Sequence, residues 1–334
     1  MDDWCKKRLC NAINRVRDRY NVVLRRNLWI LALLFLPFVE AAAQYDPSFS
    51  HYWAMETSFN PAAVGKQDKL NFVGAYNMTL TGFEHNPRTM SFSVDVPFAF
   101  LNSYHGAGVR VINDQIGLFS HNTVSLQYAY RPKLLGGRLH VGVQGSLLGE
   151  NFNGSKLEVI DQNDPAFSTS DITGSGFDLS AGLYYMRRNW YVGASVQHLL
   201  NPTVEIGETN ELEIARTYYF TAGGNIQLRN PFLSVQPSVL GRSDGVGYRA
   251  DITGRLKYTH DNKMMYVGLG YSPTNSVTVF LGGLFHGVTL GYSYEAYTNG
   301  VSLGNGSHEL LVGYQMDMNI FKKGRNKHQS VRIL

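Results

Sequence analysis

Gly306–Phe321 reads G-S-H-E-L-L-V-G-Y-Q-M-D-M-N-I-F. From His308 onward Leu310, Val312, Tyr314, Met316, Met318 and Ile320 are apolar or aromatic. Glu309, Gly313, Gln315, Asp317 and Asn319, which lie between them, are polar or small. Such a period of two marks a strand, because successive side chains leave a pleated backbone on opposite faces. A globular strand usually runs about 5–6 residues, whereas a tilted strand crossing a bilayer needs about 9–11. The stretch therefore predicts a strand with one face in lipid and the other toward a polar lumen.

The same pattern recurs back along the chain, in fourteen stretches from Leu70–Met78 to His308–Phe321. In Ser120–Arg131 the apolar set is Val124, Leu126, Tyr128 and Tyr130, set against Ser125 and Gln127. In Gly247–Tyr258 the interleaved residues are charged: Arg249, Asp251, Arg255 and Lys257. Soluble sandwiches also alternate, so the connections carry the distinction. Those after even-numbered stretches are mostly tight, for example Arg187–Asn189 and His286–Gly287, whereas Phe152–Gly174, Gln197–Thr217 and Ala296–Asn305 are long. Short turns at one end and long loops at the other mark a bacterial outer-membrane barrel. Tyr104, Tyr130, Trp190, Tyr258 and Tyr294 sit where interfacial aromatic girdles belong. The expectation is an all-β, transmembrane, antiparallel up-and-down β-barrel of about 14 strands over residues 70–321, located in the cell outer membrane. Lipid cannot satisfy an open strand edge, so the first strand must pair with the last. With a periplasmic N-terminus the short turns face the periplasm.

The start of the chain reads differently. Residues 1–43 combine a basic head, the apolar run Leu28–Val39 and Ala41-Ala42-Ala43, the layout of a secretory signal peptide cut between Ala43 and Gln44. An N-terminal membrane anchor would need about 20 apolar residues. Both cysteines, Cys5 and Cys10, fall in that segment. So do 8 of the 30 Lys+Arg and 4 of the 26 Asp+Glu, which leaves the remainder with no net charge and no overall case for binding nucleic acid. Residues 44–69 are rich in aromatics but interrupted by Pro47, Pro61 and Gly65, which predicts an irregular periplasmic or plugging segment. Residues 322–334 form a basic tail expected in the periplasm.

Q-Y-D-P-S-F-S-H-Y at Gln44–Tyr52, F-N-P-A-A-V-G at Phe59–Gly65 and M-S-F-S-V-D-V-P-F at Met90–Phe98 resemble the PorP/SprF family. So do G-A-G-V-R-V-I-N-D-Q-I-G at Gly106–Gly117, Y-V-G-A-S-V-Q-H-L-L-N-P at Tyr191–Pro202 and G-S-H-E-L-L-V-G-Y at Gly306–Tyr314. The resemblance implies a non-enzymatic outer-membrane barrel of the type IX secretion and gliding apparatus of Bacteroidota. It also implies partners: periplasmic ring lipoproteins, a peptidoglycan-binding partner, the C-terminal domain of a secreted adhesin or other cargo, and outer-membrane lipids. It brings no catalytic residues and no cofactor. The long basic head and the extended tail depart from the family pattern.

The residues themselves support no enzyme motif. His85, His105, His121, His140, His198 and His308 could each meet a serine, but none accompanies a G-x-S-x-G elbow. Asp161, Asp164 and Asp171, and the run Glu205, Glu208, Glu211 and Glu213, lack the spacing of a calcium loop and read as solvated acidic loops. Gly106-Ala107-Gly108 lies in a strand with no helix after it, so it is no phosphate cradle. The candidate lumen charges are Arg110, Arg249, Asp251, Arg255, Lys257 and Glu309, joined by Asp95, Asp178, Glu295 and Asp317. They are consistent with a salt-bridged, plugged interior or with a charged solute constriction. A barrel of this size is easily filled by side chains and the Gln44–Lys69 segment, which favours the plugged reading. A diffusion channel or hydrophobic-solute transporter is the competing function.

Overall fold

The computed structural model describes residues 46–318, apart from 102, 155–170, 207–209, 262 and 301. Ala43 and Gln44 with the rest of the signal segment, Asp161, Asp164, Glu208, Phe321 and the basic tail therefore lie outside the described residues. Fourteen long strands make one closed antiparallel barrel. They are β1 (Lys69–Met78), β2 (Arg88–Phe100), β3 (Ser103–Ile116), β4 (Phe119–Tyr130), β5 (Gly137–Phe152), β6 (Ile172–Arg187) and β7 (Trp190–Gln197). The circuit continues through β8 (Thr217–Gly224), β9 (Leu233–Ser243), β10 (Tyr248–His260), β11 (Lys263–Ser272), β12 (Ser276–Phe285), β13 (Val288–Tyr297) and β14 (Ser307–Asp317). Each pairs with its neighbours in sequence, and β1 closes on β14 in the register Lys69↔Asp317 to Met78↔His308. No edge strand remains in the ring, as lipid requires.

The eighth strand ends earlier than its alternation predicts. Tyr218–Leu228 reads as one strand, but β8 stops at Gly224, where Asn225 donates its N–H to the carbonyl of Asn189. Ile226–Gln227 then pairs back onto β9 in a separate two-residue ladder.

The two faces of β14 differ sharply in exposure. Leu310 and Val312 are about half exposed (51% and 49%), while Glu309 and Leu311 are buried at 1% and 3%. The outward apolar set continues around the barrel through Phe92, Val109, Leu126, Val143, Phe177, Phe220, Leu256 and Leu281. A belt of this extent would be an aggregation surface in water and is the lipid face of a membrane barrel. Tyr314→Asp places a carboxylate on that belt, and assembly is expected to suffer by about 2 kcal/mol. Gln315→Asp, one residue away on the other face, should assemble normally. Heat-modifiable mobility of the two refolded proteins checks this, and equal assembly would mean the faces are assigned wrongly.

The short turns cluster at one mouth, which includes His286–Gly287, where positive φ at both residues (50° and 86°) gives the turn suited to twisted hairpins. The long connections cluster at the other mouth. There the short strands Thr203–Ile206 and Asn210–Glu213 form a hairpin whose Val204 and Ile206, with Ile214 beyond it, bury against Leu148. Glu205 and Glu211 ride this hairpin as cross-strand partners.

Residues 46–68 run through the barrel interior. Asp46 meets His198 just after β7, Tyr219 of β8 and Arg242 of β9 near the long-connection mouth, while Asp68 meets Arg131 and Arg138 at the short-turn mouth just before β1 begins. The segment thus enters from the opposite mouth to the one assumed from sequence. Its acceptors and donors match Asn77 and Glu309, near the long-connection ends of β1 and β14, and His198, just after β7 at the same mouth.

Candidate functional site

The inner wall and the segment 46–68 together form the site. That segment holds two short 3-10 turns, Glu56–Ser58 and Pro61–Ala63, and is otherwise irregular. An irregular chain leaves main-chain N–H and C=O groups unpaired, and buried ones need partners. Wall side chains supply them. Asn77 Nδ2 donates to the Ser48 carbonyl (3.0 Å), and Gln127 Nε2 to that of Thr57 (2.7 Å). Arg110 donates to the carbonyl of Ser58, and both Ser195 Oγ (2.6 Å) and Gln197 Nε2 (2.7 Å) donate to that of Phe59. The Gly65 N–H donates to Asp95 (2.8 Å), whose other oxygen accepts from Asn71 (3.0 Å). Glu309 accepts from the N–H groups of Ser50 (2.7 Å) and His51 (2.9 Å), and lies 2.7 Å from His51 Nδ1.

Close approach needs bare wall. A Cβ on Gly106 or Gly142 would overlap the backbone of Val64 or Ala62, and one on Gly182 would overlap the Asn60 side chain. Gly108 leaves room for a Val64 methyl. The Gly106-Ala107-Gly108 stretch is thus a seat for the chain's own N-P-A-A-V-G segment. Asn60, Ala62 and Val64 are completely buried there (all 0% exposed). The cradle is not evident from strand alternation, and its one signal in the sequence is the recurrence of glycine at lumen-facing positions.

Among the candidate charges, Arg249 Nε donates to Asp251 (2.9 Å) and Arg249 Nη2 to Glu295 (2.8 Å), a compact network near the long-connection mouth. The guanidinium of Arg255 stacks 4.0 Å over the ring of Trp53, which in turn meets Phe280 edge-on at 4.7 Å. Lys257 is half-buried on the same face of β10. Arg110 and Glu309 stand on other strands and bind the segment rather than the Arg249 network. Asp178 joins the histidine cluster described next, and Asp317 is exposed and pairs with Lys69 (3.1 Å) at the short-turn mouth.

Of the histidines, His105 and His308 bond tyrosines on the outer face (Tyr128 and Tyr292, both 2.7 Å), and His140 meets the Ala62 carbonyl (3.1 Å). His121 pairs with Glu150, and His85 is exposed near Glu84. His198 lies between two carboxylates, Asp46 and Asp178, each at 3.0 Å, while Tyr219 donates to the second oxygen of Asp46 (2.7 Å). Burial alone would push the Asp46 carboxyl up, but the charge of His198 and the hydrogen bonds from His198 and Tyr219 bring it down to about 2. Burial would lower His198, but the two carboxylates raise it to about 9.

The stability signs follow from linkage. The lowered Asp46 stabilises above its ordinary 3.8, an effect lost as pH falls through about 2. The raised His198 stabilises fully below its ordinary 6.5, an effect lost as pH rises through about 9. The melting-temperature gap between the protein and Asp46→Asn should therefore be widest at about pH 4–6.5, shrink as pH rises from 6.5 toward about 9, and stay small above that. A gap independent of pH would show that Asp46 and His198 do not stabilise the fold as an ion pair.

A family model described as type IX secretion system membrane protein PorP/SprF matches residues 41–314, most of the chain. The chain belongs to the PorP/SprF family. No curated protein matches it in sequence. Solved barrels of similar outline include the CymD monoaromatic hydrocarbon channel, at 9% identity and TM-score 0.48, over 83% of this chain and 94% of that one. A Pseudomonas aeruginosa FadL homologue is similar at 11% identity and TM-score 0.43, over 77% and 92%. A deletion mutant of the TodX monoaromatic hydrocarbon channel matches at 11% identity and TM-score 0.42, over 78% and 93%. Similarity at this level carries no argument about what a PorP/SprF chain transports or binds.

Proposed function

We propose that this PorP/SprF protein is a non-enzymatic scaffold of type IX secretion in the outer membrane, with the long connections at the cell surface and the short turns in the periplasm. The long connections engage secreted cargo such as an adhesin through its C-terminal domain, in support of surface anchoring and gliding. The short turns and the basic tail engage periplasmic ring lipoproteins and a peptidoglycan-binding partner. Cleavage between Ala43 and Gln44 releases the mature chain in a bacteroidotal cell. The observation that supports this reading most is the lumen, which the chain's own residues 46–68 occupy from mouth to mouth. A scaffold tolerates a filled lumen, whereas a diffusion channel needs an open one.

Deleting the gene should abolish surface display of particular cargo and leave small-solute uptake intact; normal display would sink the proposal. A stable open-pore current from the purified protein in planar bilayers would favour the channel reading instead.

A further inference from the structure

The turn between β4 and β5 is a small hairpin at the short-turn mouth, in which Lys133 stands directly across from Arg138. Like charges opposite each other on one face of a sheet repel. Arg138 is met by Asp68 (3.3 Å), which Arg131 shares, whereas among the described residues no carboxylate reaches Lys133 or Arg188. Between this hairpin and the β6–β7 turn lies a groove of about 440 Å³, whose lining includes Lys133, Leu135, Arg138, Met186 and Arg188. Leu135 is 81% exposed and sits at φ 48°, in the left-handed region that favours Gly or Asn. Leu101, in the neighbouring β2–β3 turn, is equally exposed at φ 47°. With so much of each side chain in solvent, neither packing nor turn geometry accounts for leucine at these two positions.

The cations of the groove face away from lipid. Arg138 meets the lumen segment at Asp68, and its cross-strand partners Lys133 and Met186 share its face. On the opposite face Tyr185 crosses the neck of the hairpin, donating to the Leu135 carbonyl (3.2 Å) and lying against Gly137. Tyr185 and the hairpin backbone therefore stand between Lys133 and the headgroups. The chain's own tail does not fit, because residues 322–334 carry five Lys+Arg and no Asp or Glu. A second copy in the same membrane holds its exposed Glu205, Glu211 and Asp244 at the opposite mouth. What complements the groove is a separate chain that brings carboxylates to Lys133 and Arg188 and an apolar side chain to Leu135. A glycan would leave that leucine in water.

We propose that this groove docks an acidic segment with apolar side chains, carried by a periplasmic protein; this rests on the periplasmic placement of the short turns given above. The full chain would be held in phosphatidylcholine nanodiscs and titrated with a fluorescein-labelled peptide of Glu and Leu in amphipathic helical spacing. Fluorescence anisotropy should report binding that weakens as salt rises. A peptide with Ser in place of Leu should bind less, and one with Lys in place of Glu not at all. Combined Lys133→Glu and Arg188→Glu should weaken binding by about tenfold, and Lys133→Arg with Arg188→Lys should keep it. Leu135→Asn should also weaken binding, although asparagine suits the left-handed turn better, so a damaged hairpin would not be the cause. Heat-modifiable mobility confirms that the variants are folded. Binding unchanged by the charge reversal or by Leu135→Asn would overturn the assignment. So would displacement of the peptide by soluble peptidoglycan fragments, which would make the occupant a glycan. Displacement by phosphatidylglycerol added to the nanodiscs would give the cations to the leaflet and overturn it too. A nanodisc exposes both mouths, so the groove can fail this test while cargo display in cells still follows the scaffold reading, and the reverse.

Discussion

Glu309→Ala should lower the stability of the folded barrel by about 3 kcal/mol, because it strands the buried N–H groups of Ser50 and His51 together with His51 Nδ1. Each buried donor left without an acceptor costs about 1–3 kcal/mol, and part of that is recovered where the segment can shift. Glu309 is 1% exposed and His51 0%, so solvent cannot replace the lost oxygens without moving the segment. The damage should concentrate on residues 46–68: limited proteolysis should cut there in the variant and not in the unaltered protein. Glu309→Gln keeps a carbonyl acceptor and should fall between the two. Urea unfolding of the refolded proteins, followed through Trp53 fluorescence, measures the order. A Glu309→Ala protein as stable as the parent would show that the segment is held elsewhere.

Gly142→Val should have a comparable effect for a steric reason. A Cβ at position 142 would stand 2.5 Å from the Ala62 Cα and from the Pro61 carbonyl carbon. These are backbone atoms of the segment facing backbone of the wall, so no rotamer change relieves the clash. Overpacking of a fitted interior commonly costs about 1–3 kcal/mol, and here it should unseat residues 60–64 rather than bend β5. Gly254→Val is the matched control, because nothing lies within 4 Å of its Cβ position on β10. Protease cutting within 46–68 and a bilayer current in Gly142→Val, with neither in Gly254→Val, is the expected pair of outcomes. A Gly142→Val protein with its segment still protected would mean that the cradle is looser than its geometry.

Much of the barrel was legible in the residues. Every predicted strand is present, and the closure of β1 on β14 follows from the absence of water to satisfy an edge. Period-two alternation is a local signal: it needs only the pleat and the difference between lipid and lumen, so Leu310 and Glu309 declare their faces without reference to the rest of the chain. The candidate charges were harder to place. Arg249 and Asp251 stand two apart on one strand, so their pairing is nearly local, whereas the Glu309 contact with His51 joins residues at opposite ends of the chain.

The sequence by itself determined the strand number, the membrane belt and the inward positions of Arg110, Arg249, Asp251, Arg255, Lys257 and Glu309, because alternation is written residue by residue. Only the tertiary structure decided how residues 46–68 thread the lumen and from which mouth. The irregular segment 46–68 has no period to read, and its path is set by partners scattered around the ring, such as Asn77, Glu309, His198, Gly142 and Asp95. Those partners share no spacing in the chain and come together only when the sheet closes.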